Sequence, residues 1–368
     1  MKVSKEIFSQ IKTCAFCYLM CRHYCSISSV QRTNYSTPRG KALILYGILN
    51  NEFKMNGELA RLFYLCTNCG RCYVACETKA SNPPEIFEEI RALEVSEGLV
   101  PKDIAKLAEN LSEKGNIYGS SEDKVAKVLP KEAFLDGESD LLYYVGGEVR
   151  SAQPEIAQAA VELLKTIGVD VKVLENEPGD GGMLYILGFR EKARDSAEKL
   201  IKELKKARVK TLIVSDPLSY AAFKIYYPKL GLSLGDLKVV HLTEFLVKKP
   251  ISFNKLEAAT AYHDPCFLGR RTNNLYDEPR ELLRRIPGLD LKEPEFNREH
   301  SLCCGGLLRP IDSYWADKVA ERIAEEFKRL EIDFATTSCP RCKDSFNRVG
   351  VKTYDIAEVL KMAASKRG

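Results

Sequence analysis

No apolar run in this sequence approaches the roughly 18–20 residues that a helix needs to cross a bilayer. The longest candidate, Ala42 to Leu49, makes about two helical turns. The N-terminus lacks the apolar core of a secretion signal, so a cytoplasmic protein is expected, held at the inner face of a membrane only through a partner. A charge excess of one sign is missing too. The 55 Lys and Arg exceed the 51 Asp and Glu by only four, and lysines interleave with glutamates as on solvated helix faces. This argues against a nucleic-acid binder. Cysteine is absent from the whole stretch Glu77 to Pro265.

That last absence throws the cysteines that do occur into two groups. Of 13, eight lie between Cys14 and Cys76 and five from Cys266 onward. A disulfide framework is not expected in a reducing compartment. Closely spaced clusters point instead to metal or redox chemistry.

Residues 1–110 read as all-helical. Ser4 can cap a short helix running into Cys14; Arg39 to Phe53, Asn56 to Leu65 and Pro84 to Gly98 carry further helical patterns. At the ends of these helices stand Cys14, Cys17, Cys21 and Cys25, then Cys66, Cys69, Cys72 and Cys76. The second run has the bacterial-ferredoxin spacing, in which three close thiolates hold one cubane 4Fe–4S cluster and the fourth serves the other. By that logic Cys14, Cys17, Cys21 and Cys76 form one set, and Cys66, Cys69, Cys72 and Cys25 the other. Paired four-cysteine zinc sites are the alternative, although those usually use two separated C-x2-C pairs. Ser26 and Glu77 replace the proline that usually follows the fourth cysteine, and the first run has one extra residue before Cys21.

Residues 111–138 are polar and read as a linker with some helix. From Asp140 the pattern alternates. Strands are expected at Leu141–Val145, Val169–Leu174 and Thr211–Ser215, separated by helices over Pro154–Gly168 and up to Arg208. The last third repeats this plan, with strands at Ala258–His263 and Asp333–Thr337 and helices at Glu278–Arg285 and Ser313–Leu330. Such alternation implies parallel α/β layers.

Laying one half on the other exposes an internal repeat. Gly179-Asp180-Gly181-Gly182 falls on Cys303-Cys304-Gly305-Gly306, and Asp216-Pro217-Leu218-Ser219 on Cys339-Pro340-Arg341-Cys342. The separations agree: 36 residues from Asp180 to Asp216, 35 from Cys304 to Cys339. Gly147 falls near Cys266. The first copy thus keeps the scaffold without the five thiols.

At these residues the chain resembles the CCG-domain iron–sulfur family. That family includes the B and D subunits of heterodisulfide reductase and the iron–sulfur subunits of anaerobic glycerol-3-phosphate dehydrogenase and glycolate oxidase. The pattern here is Cys266, 36 residues, Cys303-Cys304, then 34 residues beginning with Gly305, then Cys339-x2-Cys342, its last gap, counted from Cys304, one residue short of the family's. Tyr262-His263-Asp264-Pro265, Gly269-Arg270 and Thr37-Pro38-Arg39-Gly40-Lys41 match as well. The resemblance implies an all-helical two-cluster ferredoxin-like domain over 1–110, a linker over 111–138, a degenerate Rossmann-like CCG repeat over 139–250 and an intact one over 256–368. It implies two cubane 4Fe–4S clusters on the eight N-terminal thiols. It also implies one non-cubane 4Fe–4S cluster on Cys266, Cys303, Cys304, Cys339 and Cys342, with Gly305 and Gly306 allowing the chain to approach it.

Two functions share that equipment. In one, the five-thiol centre at Cys303-Cys304 reduces a small disulfide or thiol substrate, with His263 supplying a proton and Arg270 holding an anionic group. In the other, the chain only relays electrons from a flavoprotein subunit to a quinone or a membrane cytochrome b. Either way other redox subunits are expected as partners.

Overall fold

The N-terminal helices begin where capping side chains place them. Ser4 accepts a hydrogen bond from the Ile7 amide at 3.2 Å and opens Lys5–Ala15; Asn56 accepts from Leu59 at 2.9 Å and opens Gly57–Tyr64. Thr37 caps Pro38–Leu49, with proline at the first helical position and the Gly40 amide bonded to Thr37 Oγ1 at 2.8 Å. A side chain at Gly40 would stand 2.0 Å from the Asn34 carbonyl oxygen, so this turn requires glycine. Pro83–Ser96 and Lys102–Lys114 complete the group, and Ile11, Leu45, Phe63, Ile86, Phe87 and Ile90 form its core. The computed structural model describes residues 1–18, 20–272 and 274–365.

Two parallel sheets follow. Strands β1 (Leu141–Tyr144), β2 (Thr211–Val214) and β3 (Lys238–His241) pair in the order β1-β2-β3. Strands β4 (Ala258–His263), β5 (Leu289–Lys292), β6 (Phe334–Thr337) and β7 (Thr353–Asp355) pair in the order β5-β4-β6-β7. The sequence β1-β2-β3 therefore has its match in β4-β6-β7. Each sheet is covered on both faces, as parallel sheets must be. Leu142, Tyr144, Leu212 and Val214 face a core shared with Tyr64, Ile104 and Leu107 of the N-terminal helices. Tyr143, Ile213 and Val240 face the other way, into a core that also takes in Tyr262, Phe334 and Ile356 of the second sheet. Helices Pro154–Thr166 and Ile356–Ala363 pack on each other across that shared core.

The expected strand at Val169–Leu174 does not form. Its backbone divides between two neighbours: the Tyr143 amide donates to the Lys172 carbonyl, and Val173 exchanges bonds with Ala133 and Leu135. Neither pairing is long enough to make a ladder, so only isolated bridges remain, at the position β5 takes in the second sheet. Residues 111–138 also differ from a free linker. Helix Lys102–Lys114 runs into them, and Val125, Leu129 and Ala133 are buried against Tyr143 and Val173. Among the described residues no helix is long and apolar enough to cross a membrane.

Candidate metal centres

Parallel strands gather loops at their carboxyl ends, and ligands of open α/β sheets sit there. Cys266 follows β4, Cys339 follows β6 and caps helix Pro340–Arg348, and Cys342 lies in that helix's first turn. Cys342 Sγ stands 3.1 Å from Cys304 Sγ. Cys303 lies within reach of Cys266, Cys304 and, from the N-terminal helices, Cys69. Its sulfur also meets Thr67 Oγ1 at 3.3 Å, and its amide donates to Ser26 Oγ at 3.3 Å. Ser26 is the residue that replaces the usual proline.

The two loop glycines serve geometry as well as approach. Gly305 has φ +78, and a side chain there would press on the Ala316 carbonyl at 2.8 Å. One on Gly306 would meet Arg341 Cβ at 2.7 Å. The amides of Gly305 and Gly306 point back at the Cys303 and Cys304 sulfurs, both at 3.4 Å.

Among the described residues no three His, Cys, Asp or Glu side chains converge as they would around a single ion. The N-terminal thiols instead ring a larger space. A cavity of about 120 Å³ is lined by Cys14, Cys17, Cys21 and Cys76, with Cys72 as a shared wall. Those first four are the set expected from the ferredoxin spacing. Burial, then neighbouring thiols, push Cys14 up to about 12, and burial pushes Cys21 up to about 11. Cys25, Cys66 and Cys72 surround the ammonium of Lys41, while Cys69 turns toward Cys303.

Four cations around these thiols were not singled out by spacing or were assigned another role. Lys41, Arg71 and Arg91 are 2%, 3% and 1% exposed. Arg91 donates to the Phe63 and Cys66 carbonyls, both at 2.7 Å; Arg71 donates to the carbonyls of His300 and Tyr24. Arg270 donates to the carbonyls of Cys69, Glu299 and Ser301 at 3.0, 3.0 and 2.7 Å, and its Nη2 is buried with no nitrogen or oxygen partner. Among the described residues none of the four is within ion-pair distance of a carboxylate. Buried charge is costly unless compensated. Thiolate-bound clusters carry the missing negative charge, so the residues present fit such groups.

Arg270 therefore staples the Cys69 turn to the strand of chain entering Cys303. His263, at the end of β4, is buried with its ring edge-on to Phe346 at 4.8 Å, and burial lowers it to about 4. Its charged neighbours are Cys304, Asp264 and Arg270.

The residues aligned with the five thiols also come together. Ser219 Oγ donates to Asp180 at 2.6 Å, and Asp216 pairs with Arg341 at 2.6 Å. The chain at Gly115 fills the remaining space: a side chain at Gly147 would stand 2.0 Å from the Gly115 carbonyl oxygen, and one at Gly179 3.2 Å from Gly115 Cα. Arg341, between Cys339 and Cys342, thus joins the two copies. It also lines, with Gly306, Arg309, Tyr118 and Asp344, an open cavity of about 350 Å³.

Comparison with known proteins agrees with this geometry. The model of the cysteine-rich CCG domain matches residues 141–224 and again 260–347, and that of the 4Fe-4S dicluster domain matches residues 10–80. The chain is 29% identical to the probable iron-sulfur-binding oxidoreductase FadF of Bacillus subtilis, over 81% of this chain and 46% of that protein. It is 29% identical to the B subunit of fumarate reductase (CoM/CoB) of Methanothermobacter marburgensis, over 84% of this chain and 63% of the relative. It is 28% identical to the D subunit of dihydromethanophenazine:CoB–CoM heterodisulfide reductase of Methanosarcina mazei, over 76% and 70%. The chain thus spans about half to two thirds of the first two relatives' length. A crystal structure of a hypothetical protein from Helicobacter pylori shares the fold, with a TM-score of 0.60 at 11% identity over 100% of this chain and 74% of that one. With a dicluster domain followed by two cysteine-rich domains, the chain belongs to the CCG family of iron–sulfur oxidoreductases.

Proposed function

We propose that the chain is the iron–sulfur subunit of a heterodisulfide-reductase-like complex, in which the five-thiol centre acts on a disulfide or thiol substrate. The observation that carries this is the unbroken line of sulfurs from Cys69 through Cys303 and Cys304 to Cys342. Cys14, Cys17, Cys21 and Cys76 would hold one cubane 4Fe–4S cluster and Cys25, Cys66, Cys69 and Cys72 the other. Cys266, Cys303, Cys304, Cys339 and Cys342 would hold a non-cubane cluster. Bound there, these groups supply one-electron transfer and an iron to which sulfur can attach. The chain's own residues do the rest. Arg270 fixes the separation between Cys69 and Cys303, and Gly305 and Gly306 aim amides at the sulfurs. The cavity beside Gly306 and Arg341 would give a substrate room next to the CCG loop. Burial keeps His263 neutral at pH 7, so it would accept a proton at one ring nitrogen while the other can donate a hydrogen bond, and it would not serve as the acid. Arg270 is engaged by carbonyls on three sides, which suits positioning better than substrate binding.

A relay without substrate is the second reading, in which a flavoprotein partner feeds electrons onward to a quinone or cytochrome. The burial of Cys303, Cys304, Cys339 and Cys342 at 3%, 5%, 8% and 2% favours it, since a relay needs no opening. Anaerobic purification, iron and sulfide analysis, and EPR after adding a thiol under oxidising conditions separate the two. About twelve irons, from three four-iron clusters, with a thiol-dependent paramagnetic signal are expected. The same iron count without the signal favours the relay, and about eight irons would remove the third cluster altogether.

A further inference from the structure

The net positive charge of the chain is concentrated at one end. Residues 1–41 hold seven Lys and Arg against one acidic residue, Glu6, leaving 48 Lys and Arg against 50 Asp and Glu in the rest. Those 41 residues build most of the ring of Cys14, Cys17 and Cys21, the part of the thiol system most open to solvent, where Cys17 is exposed. Lys12, Arg22, Arg32 and Arg39 make no ion pair with a carboxylate among the described residues. Elsewhere the surface charges are widely paired, as Lys106–Glu109, Lys318–Glu321 and Arg348–Asp344 show. Beside Cys17 stand two large apolar side chains turned to solvent, Phe16 at 61% and Tyr18 at 98% exposed. Phe16 is held there by an edge contact with Tyr46 at 5.0 Å, so it is a fixed feature and not a loose end.

Exposed aromatics thus stand beside Cys17 on a segment whose basic residues far outnumber its acidic ones, and Arg39 lines the same ring as the one acidic neighbour, Glu77. This is the composition of a protein-docking surface, steered by charge and held by a few apolar anchors. A lipid headgroup layer would attract the same charges. It would gain nothing, however, from the open edge at Cys17, which serves only a partner that must approach the ring closely. We propose that this face receives an acidic redox carrier protein, and that it is the port through which the chain exchanges electrons with a soluble partner. The proposal rests on reading the Cys14–Cys17–Cys21–Cys76 ring as a cluster site, which sets its place at one end of the electron path.

The test uses the loaded full chain and a reduced acidic flavodoxin as the probe carrier, with cluster reduction followed by stopped-flow absorbance. The second-order rate should fall by about tenfold or more as salt rises from low to above physiological strength. At low salt, Lys12→Glu with Arg32→Glu should lower it by roughly tenfold, and Phe16→Ser by a severalfold factor that salt does not change. Reduction by a neutral small-molecule photoreductant, and iron content, should be the same in all variants, which separates docking from cluster damage. A flavodoxin rate indifferent to salt and to charge reversal overturns the proposal. So does flotation with phosphatidylglycerol vesicles that the reversal abolishes while the flavodoxin rate stays unchanged, since that marks a membrane face. Wild-type protein that takes up no iron overturns the cluster reading and the port together, and is recognised by analysis before any carrier is added.

Discussion

Lys41 occupies a place where a lysine ordinarily cannot stay. It is 2% exposed, it lies among Cys25, Cys66 and Cys72, its ammonium sits 5.6 Å from the Phe87 ring, and burial pulls its pKa down. A cation beside a cluster favours the reduced, more negative state. Lys41→Met should therefore lower the midpoint potential of the neighbouring cluster by roughly 40–90 mV, the equivalent of about 1–2 kcal/mol for one electron, and Lys41→Arg should recover most of it. Potentiometric EPR titration checks both. Glu94 is a second buried ionisable group, with no hydrogen-bond partner on either carboxylate oxygen, and burial pushes its pKa up to about 9 despite Arg91 nearby. The folded state therefore keeps a proton that the unfolded chain releases near 4.5. Stability from this residue falls as pH rises between those values. At pH 7 Glu94→Gln should add about 1–3 kcal/mol and flatten the decline of Tm between pH 5 and 9, measured by thermal unfolding of the loaded protein.

Between elements, Arg270 is the joint. It leaves the loop after β4, reaches the turn at Cys69 in the N-terminal helices, and ties down the segment Glu299–Ser301. Arg270→Gln strands buried carbonyl acceptors and should cost on the order of 2–4 kcal/mol. It should also slow electron transfer between the N-terminal clusters and the five-thiol centre, while each cluster keeps its own spectrum; rapid-freeze EPR reads that step. A lysine there restores the charge but not the three-carbonyl geometry, so Arg270→Lys should recover only part of the stability and of the transfer rate. Much of this level was readable from sequence. The cysteine spacings, the caps at Ser4 and Asn56, and strands β1, β2, β4 and β6 all follow from local pattern. What local pattern misses is decided by distant chain. Val169–Leu174 reads as a strand, yet Ala133 and Leu135 draw away half its hydrogen bonds. Nothing near Lys41 or Arg91 in sequence shows that Cys25 or Cys66 will close over them. Arg270 reads as a substrate residue until the carbonyls that occupy it, as far as 201 positions away, are in place.

In the whole molecule the duplicated halves have been put to different uses. One gathers five thiols. The other has become a floor, in which Ser219 bonds Asp180, Arg341 bonds Asp216, and the Gly115 turn fills what remains. Substituting cysteine at Gly147, Gly179, Asp180, Asp216 and Ser219 together should therefore not create a further cluster. The Gly115 carbonyl already stands 2.0 Å from where a side chain on Gly147 would begin. Iron analysis should give no increase over the parent protein, and thermal unfolding should show a clear loss of stability, because Arg341 then keeps a buried charge without its Asp216 partner.

The wall shared by the N-terminal helices and the five-thiol loop has a consequence for how the protein is made. The Cys303 amide reaches Ser26 Oγ across 277 positions of sequence. At roughly 5–20 residues per second, the N-terminal thiols leave the ribosome about 15–55 seconds before the loop that covers them. During that interval Cys25, Cys69 and Thr67 face solvent with no lid, open to scaffold proteins that deliver iron and equally open to oxygen. Cluster insertion and chain completion are thus in a race. Slowing translation near residue 300 should increase the share of chains emerging without their N-terminal iron when oxygen is present.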